Sequence, residues 1–469
     1  MAHQVATNRR AAVLSTAQST NLFCYELNKS GVASVFGLPS IKAMKQIFGF
    51  MLMLASTVYS VAASEPVFET NAQFEASQNA RGEGLAAFRA GDHKAALAKM
   101  EQALLLRPGN TLILGYIAYL AAETGNLARA AEAATLFASA GQSPGRGIQG
   151  KLAEKLSAEV WAGIKEMFDA NVAPKGRAAV HTSVAADVKL IEGIAVAPDG
   201  RTFVSSVVSG GIYSVSGESY SLLVSAKAHA MGSFFGITYN ASHNSIFATY
   251  ARVEQTPGHI AGEGTTGVAE FDAGTGALIN NWVLEGSTND HQIADILITH
   301  DHKIYVSDAT GKAVYAIDSD KLMKLFDLPQ SMSPQGIAEL GGVLYMADWG
   351  RGIWRLDRNT NTATLLGRDR KTNLIGIDGL AARDGKLIAI QNGSNPHKVV
   401  AITLSTDGLS VAKLEVLAQS LSGFDEPTLG VSTPSGYYFV SGSQWPKFGK
   451  GGAVNEGAAL NPTTVLKLQ

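Results

Sequence analysis

The sequence predicts a helical domain followed by an all-β domain, and for the second a six-bladed β-propeller. Three observations carry this. Residues 84–170 place small and large apolar residues at helical spacing, with a repeat of about 34 residues. A Pro- and Gly-bearing stretch at 170–183 (ANVAPKGRAAVHTS) then breaks the pattern. Everything after it reads as short apolar runs divided by Gly-bearing turns, recurring as six units of about 48 residues each, the length of a four-stranded blade.

The chain of 469 residues has 17% charged and 8% aromatic residues and 49 glycines, which suits a turn-rich globular protein rather than a disordered one. With a formal charge of −2 and no dense Lys/Arg block, nucleic acid and anionic membrane surfaces are not expected partners. Cys24 is the single cysteine, so neither an intrachain disulfide nor a Cys-rich metal site can form.

Residues 44–63 (MKQIFGFMLMLASTVYSVAA) read as a secretory signal peptide. Lys42 and Lys45 precede the apolar core Ile47–Val58, which is short for a membrane span, and Val61-Ala62-Ala63 offers small residues for cleavage before Ser64. Its late position is explained by translation starting at Met44, with residues 1–43 an over-extended start; the alternative is a genuine N-terminal tail before an uncleaved anchor. Cleavage removes Arg9, Arg10, Lys29, Lys42 and Lys45 but only one acid, Glu26, and also Cys24. A cysteine-free, mildly acidic product suits a periplasmic or secreted location, with no stable membrane span once the signal is removed.

The helical domain is expected over 68–172. Gly84, Gly91, Ala96, Met100, Ala103 and Pro108 recur at a 34-residue offset as Ala118, Gly125, Ala130, Ala134 and Phe137. Gly91-Asp92 makes the turn of a helical hairpin, and Ala96 and Ala103 let its helices approach. Residues 149–170 read as one amphipathic closing helix, with Leu152, Leu156, Val160 and Ile164 on one side. This spacing resembles the tetratricopeptide family, which implies a groove for peptides or partner proteins. A simple helical spacer is the plainer reading.

After a linker at 173–183, the propeller is expected over 184–469. Its units begin IEGIAVAPDGRTFVSSVVSGGIYSV at 191, FGITYNASHNSIFATY at 235, ADILITHDHKIYVSDATGKAVYAID at 294, PQGIAELGGVLYMADWGRGIWRL at 334, IDGLAARDGKLIAIQNG at 377 and EPTLGVSTPSGYYFVSGS at 426. TTVLKL closes the chain. Three strands alone expose their edges, so each unit needs neighbours on both faces. The outer strand is exemplified by TATLLG at 362–367, and a segment near 176–190 closes the ring on the last blade. Seven blades is the rival count, since the long step from 236 to 294 leaves room for another; a large loop at 254–267 accounts for it more simply.

In such a ring the first strand of each blade starts at one channel mouth, where the second strand ends. If Gly341-Gly342 is a two-residue loop, Gln335 faces Asp348. The same count sets Asp295 opposite Asp308 and Asp378 opposite Gln391, and places Glu192 and, less well aligned, Glu426 at the same level. Converging carboxylates repel unless protonated or bound to a cation. Their oxygen donors suit a hard divalent ion, Ca²⁺ first, with Mg²⁺ or Mn²⁺ as alternatives. Asp308 and Asp348, in SDAT and ADWG, are expected to brace turns.

The EG at 192, QG at 335 and DG at 378 resemble the gluconolactonase/regucalcin (SMP-30-like) family of six-bladed propellers, to which the paraoxonases are related. The resemblance implies one divalent metal in the channel held by Glu192, Gln335 and Asp378, with Glu426 a further candidate, and Asp378 as the hydrolytic base. Gln335 replaces a ligand asparagine of the family, and Ala294-Asp295 takes the place of its substrate asparagine. Asp295, Phe235 and His291 are then the candidate substrate-binding residues, with His291 also a possible second base. Trp349 is a further pocket candidate.

No GxSxG, HExxH or P-loop occurs. Two functions follow: a metal-dependent hydrolase opening a lactone or related ester, or a non-catalytic adaptor gripping one partner by its helices and another by its propeller. The exported protein should begin at Ser64 on N-terminal mass analysis; retention of residues 44–63 would contradict the signal-peptide reading.

Overall fold

The computed structural model describes residues 65–260, 262–286 and 291–469. The expected signal peptide at 44–63 and the stretch 1–43 lie outside these residues. Among the described residues no helix is long and apolar enough to cross a membrane.

Six helices come first: α1 (Asn71–Arg89), α2 (His93–Leu106), α3 (Ile113–Glu123), α4 (Leu127–Ser139), α5 (Arg146–Lys155) and α6 (Ala158–Val172). They pack around one core that includes Ala96, Met100, Ala103, Ala130, Ala134 and Phe137. Gly91 and Gly125 hold φ of 78° and 80° at the two tight turns, where an L side chain is strained. A Cβ on Gly84 would stand 3.2 Å from Lys99 Cβ and Met100 Cε, so α1 and α2 touch there. The single closing helix expected over 149–170 is instead two. Leu156 is extended (ψ 158°), and Ser157 caps α6 by accepting from the Val160 N–H at 3.3 Å.

Six antiparallel sheets follow, five of four strands and one of five, and no seventh appears among the described residues. The blades run from Ile191, Ser233, Ile293, Pro334, Ile377 and Gly430. The segment expected as a linker is itself strand. Ala178–Val184 pairs with the final strand Thr463–Leu468 and forms the outer strand of blade six, which closes the ring. Lys175-Gly176 adds a fifth strand to blade five. Blade faces bury aromatic and branched side chains against their neighbours, as in the cluster of Phe203, Phe234, Phe271 and Ile246 between blades one and two.

One irregularity recurs. In blades one to five the inner strand gains one residue on its partner at the same level. Blade four pairs Leu340 with Val343 as expected, but then Pro334, not Gln335, with Asp348. Likewise Ile293 opposes Asp308 and Ile377 opposes Gln391, so the expected facing pairs Asp295–Asp308 and Asp378–Gln391 do not form. The cause is a β-bulge, which adds a residue and re-aims its side chain.

The bulge exists because the inner strands crowd together. A Cβ on Gly193 would lie 2.3 Å from Phe235 O, one on Gly336 2.2 Å from Leu380 N, and one on Gly379 2.5 Å from Thr428 O. Blade three has Asp295 at this level, and its carboxylate accepts from the Ile337 N–H of blade four at 3.1 Å. Thr428 Oγ1 donates to Glu192 O at 3.0 Å and completes the circuit.

The helices dock over blades four and five at the end where the inner strands begin. Arg107 donates to Gly350 O, Asn395 Nδ2 to Ser143 O at 2.8 Å, Lys398 Nζ to Gly141 O at 2.5 Å, and Gln419 Nε2 to the carbonyls of Asn171 and Ala173.

Gly336→Ala forces a methyl into backbone and should cost about 1–3 kcal/mol, read as a lower unfolding midpoint. Gly163→Ala, in α6 with nothing near its Cβ, should instead stabilise by up to about 1 kcal/mol. Equal effects of the two would contradict the crowding argument.

Candidate active site

At the mouth the bulged residues come from successive blades: Glu192, Phe235, Ala294, Gln335 and Asp378, each one residue before the crowded position. Glu426 reaches the same place from the turn before blade six, in a left-handed conformation (φ 65°). Glu192 and Asp378 are 7% and 8% exposed.

Glu192 Oε2 accepts from Trp445 Nε1 at 2.7 Å and Ser443 Oγ at 3.2 Å. Asp378 Oδ2 accepts from Asn392 Nδ2 at 2.6 Å, and Asn392 Oδ1 accepts from Trp349 Nε1 at 3.1 Å. Glu426 Oε2 is buried without a hydrogen-bond partner. Gln335 turns its amide to Ser333 Oγ at 2.9 Å.

Three of these acids lie within one another's electrostatic reach. Burial first, then the charge of Asp378, and further Glu426, push Glu192 well above the usual carboxylate range. Burial and Asp378 push Glu426 up to about 8, against the Trp445 backbone N–H. Asp378 rises to about 6 through burial, opposed by Asn392. Asp295 rises to about 7, again through burial, with a smaller contribution from Asp378.

Not every expected residue belongs to this group. Asp295 occupies the crowded position rather than the bulged one; Ala294 is the bulged residue of its blade. It lines a cavity of about 230 Å³ in the rest of the channel, walled mainly by apolar residues such as Ile194, Ile296 and Leu380. Phe235 is 1% exposed and packs with Leu190, Val207 and Phe448, stacking near Trp445 (centroids 6.5 Å), so its ring is core rather than open pocket wall. His291 Nδ1 lies 2.5 Å from the buried Asp308 Oδ2, which ties the imidazole to its own blade corner rather than to the mouth.

Asp308 and Asp348 do brace turns. Asp308 accepts from the N–H groups of Gln292 and Gly311, and Asp348 from those of Met332, Ser333 and Gly350 and from Trp354 Nε1. Gln391 stands at the same level in blade five and donates to Asn373 O and Ile375 O.

Sequence reasoning missed Asn392, Ser443 and Trp445. Asn392 was within reach of it, one residue past the second-strand end at Gln391. Trp445 sits in a short turn after the last blade's second strand, and nothing in its local pattern marks it.

The donor chemistry fits a hard cation: three acids, one with an orphaned buried oxygen. Their spacing is wider than a compact shell. Among the described residues, the only three His, Cys, Asp or Glu ligand atoms within 4.8 Å of one another are those of His300, Asp301 and Glu339. That group lies at the opposite, hairpin end of blades three and four. Arg358 is already placed 3.5 Å from Glu339 and 3.7 Å from Asp301 there.

No family model matches the chain and no curated protein matches it. Solved structures do. A protein from Thermus thermophilus described as a candidate oxidoreductase of the glucose dehydrogenase type is 16% identical with a TM-score of 0.43, covering 62% of this chain and 99% of its own. The PQQ-bound aldose sugar dehydrogenase of Streptomyces coelicolor is 14% identical with a TM-score of 0.43, over 63% and 100%. A protein described as a candidate gluconolactonase is 15% identical with a TM-score of 0.42, over 62% and 92%.

Carboxylates with raised pKa values bind more protons folded than unfolded between about pH 4 and pH 8. Their contribution is full below about pH 4 and is lost as pH climbs through 6 to 8, so stability should fall across that window. Glu426→Gln should flatten the upper part, read from unfolding midpoints at pH 5 to 9; an unchanged profile would remove Glu426 from the shared field.

Proposed function

We propose that the channel mouth is a small-molecule site of the hydrolase type, opening a lactone or related ester. In this reading a divalent cation, Ca²⁺ before Mg²⁺ or Mn²⁺, is held by Glu192, Asp378 and Glu426, with the Gln335 amide as a further oxygen donor. The observation that carries it is the burial of three acids from three separate blades in one another's field, with a free oxygen on Glu426. Oxygens on opposite sides of a Ca²⁺ shell stand about 5 Å apart. At least one pair of acid oxygens here stands wider than 4.8 Å, so a cation would be held from opposite sides rather than by a compact cluster.

When bound, the cation neutralises the acids and polarises a carbonyl oxygen. The chain's own residues do the rest. Asn392, itself held by Trp349, fixes the Asp378 carboxylate. With a pKa of about 6, Asp378 is largely ionised at neutral pH and can take a proton from an attacking water. Trp445 and Ser443 fix the position of the Glu192 carboxyl group.

The helices are read as tetratricopeptide-type hairpins, and the protein as exported to the periplasm or beyond. The competing reading is an adaptor without catalysis. Two observations favour it: the wide acid spacing, and the exposed Leu105 and Leu136 on the helical domain (82% and 45%).

The test is to purify the exported form, measure bound metal, and assay a lactone panel with and without chelator. Asp378→Asn should lower turnover by about 10²–10⁴-fold with the fold intact. A protein without metal and without turnover decides for the adaptor.

A further inference from the structure

On the far side of the crowded level the channel widens into a cavity of about 230 Å³ with an acid at its inner end. Asp295 stands at that end, and the rest of the lining lies further along the inner strands, at Ile194, Ile237, Ile296, Ile337 and Leu380 among others. None of Glu192, Asp378 and Glu426 contributes to it. The lining is buried beside Asp295, at Ile296 and Ile337, and half-buried towards the hairpins, at Ile298, Ala382 and Ser432, so the cavity opens at the hairpin end. A single water needs about 10–15 Å³ of such space, so the cavity admits a molecule of several heavy atoms.

The lining carries two acids, Asp295 and Glu339, and no basic residue. Glu339 is already met by His300 at 2.9 Å and Arg358 at 3.5 Å. Asp295 has no ion pair among the described residues. Its Oδ2 accepts from the Ile337 N–H at 3.1 Å, and Asp378, the charged group that reaches it, repels it. A second oxygen beside the lining is also unanswered. Tyr437 is 1% exposed and its hydroxyl has no hydrogen-bond partner. That oxygen lies 2.3 Å from where a Cβ on the channel-lining Gly430 would be, and the charge of Asp295 reaches it. The backbone adds acceptors. Every inner strand is the end strand of its sheet, so one row of its carbonyl and N–H groups has no ladder partner.

An unpaired acid at the end of a cavity without bases calls for a cation. A hard divalent ion takes about six to eight oxygens and more than one carboxylate, whereas here one carboxylate is free and one of its oxygens already accepts from a backbone N–H. Isoleucine and leucine walls suit hydrocarbon instead. We infer that this far part of the channel binds a small primary ammonium ion with a short hydrocarbon tail. The ammonium group donates to the Asp295 carboxylate and to free inner-strand carbonyls, and the tail lies along Ile237, Ile296 and Ile337 towards the hairpin end. The site is separate from the carboxylate mouth and does not depend on its chemistry.

The experiment titrates the purified protein, labelled with ¹³C at isoleucine methyls, with n-butylammonium chloride, and in parallel with n-butanol and with sodium chloride. Butylammonium should shift the methyls of Ile237, Ile296 and Ile337 saturably. Sodium chloride should not, and n-butanol should bind at least about tenfold more weakly. Asp295→Asn should lower the butylammonium affinity at least about tenfold. If that variant does not fold, the wild-type protein is read from about pH 5.5 to about pH 8. Asp295, raised to about 7, loses its proton across that window while an alkylammonium ion stays charged, so affinity should climb at least about tenfold. Asp378 and Glu426 titrate there too, so the methyl positions assign the site. Shifts confined to Ile191 and Ile377 at the mouth would overturn the inference. So would equal binding of n-butanol, equal shifts with sodium chloride, undiminished affinity in Asp295→Asn or a flat pH profile.

Discussion

Six inner strands must pass one another around a channel too narrow for side chains between them. At one level of the ring, glycine hydrogens or a backbone-bonded aspartate are all that fit: Gly193, Gly236, Gly336, Gly379 and, in blade three, Asp295. The bulge at this level aims the preceding residue at the mouth. Glu192, Gln335 and Asp378 reach the mouth because the next residue is glycine. Packing and site chemistry are therefore one constraint, and the X-Gly pairs serve both.

The same constraint explains which acids become unusual. Asp308, Asp348 and Gln391 sit one step away on the second strands, where backbone N–H groups or carbonyls satisfy them. Those groups are structural. Glu192, Asp378 and Glu426 receive few donors, so burial raises all three, and the charge of Asp378 adds to the rise of the other two. A site of this kind holds protons or a cation, and which of the two depends on pH and on the ions present.

Much of the fold was legible. Turn-bounded strands at regular spacing gave the six blades, and the Gly91/Gly125 offset gave the two leading helical hairpins. Ring closure near 176–190 was legible too, because an incomplete last blade has to borrow a strand. Register at the corner was not. Counting back from Gly341-Gly342 assumes an unbroken ladder, and only knowledge of the neighbouring blade reveals the bulge. Of the site, the places of Glu192 and Asp378 at inner-strand starts could be read, while Glu426, in the turn before the last blade, aligned less well and Asp295 took the crowded position instead. The roles of His291 and Phe235 could not be read, because each depends on what lies beside it in space: Asp308 for one, the Leu190–Phe448 cluster for the other. Trp445 was invisible for the same reason, whereas Asn392, one residue past the second-strand end, was within reach.

The most direct test of the shared field is a carboxyl-¹³C NMR pH titration of protein labelled at Asp and Glu and stripped of divalent ions. The account expects Asp378 to titrate near pH 6 and Glu426 near pH 8, with the Glu426 midpoint falling when Asp378 is replaced by Asn. Midpoints near 4 for both, indifferent to that replacement, would contradict it.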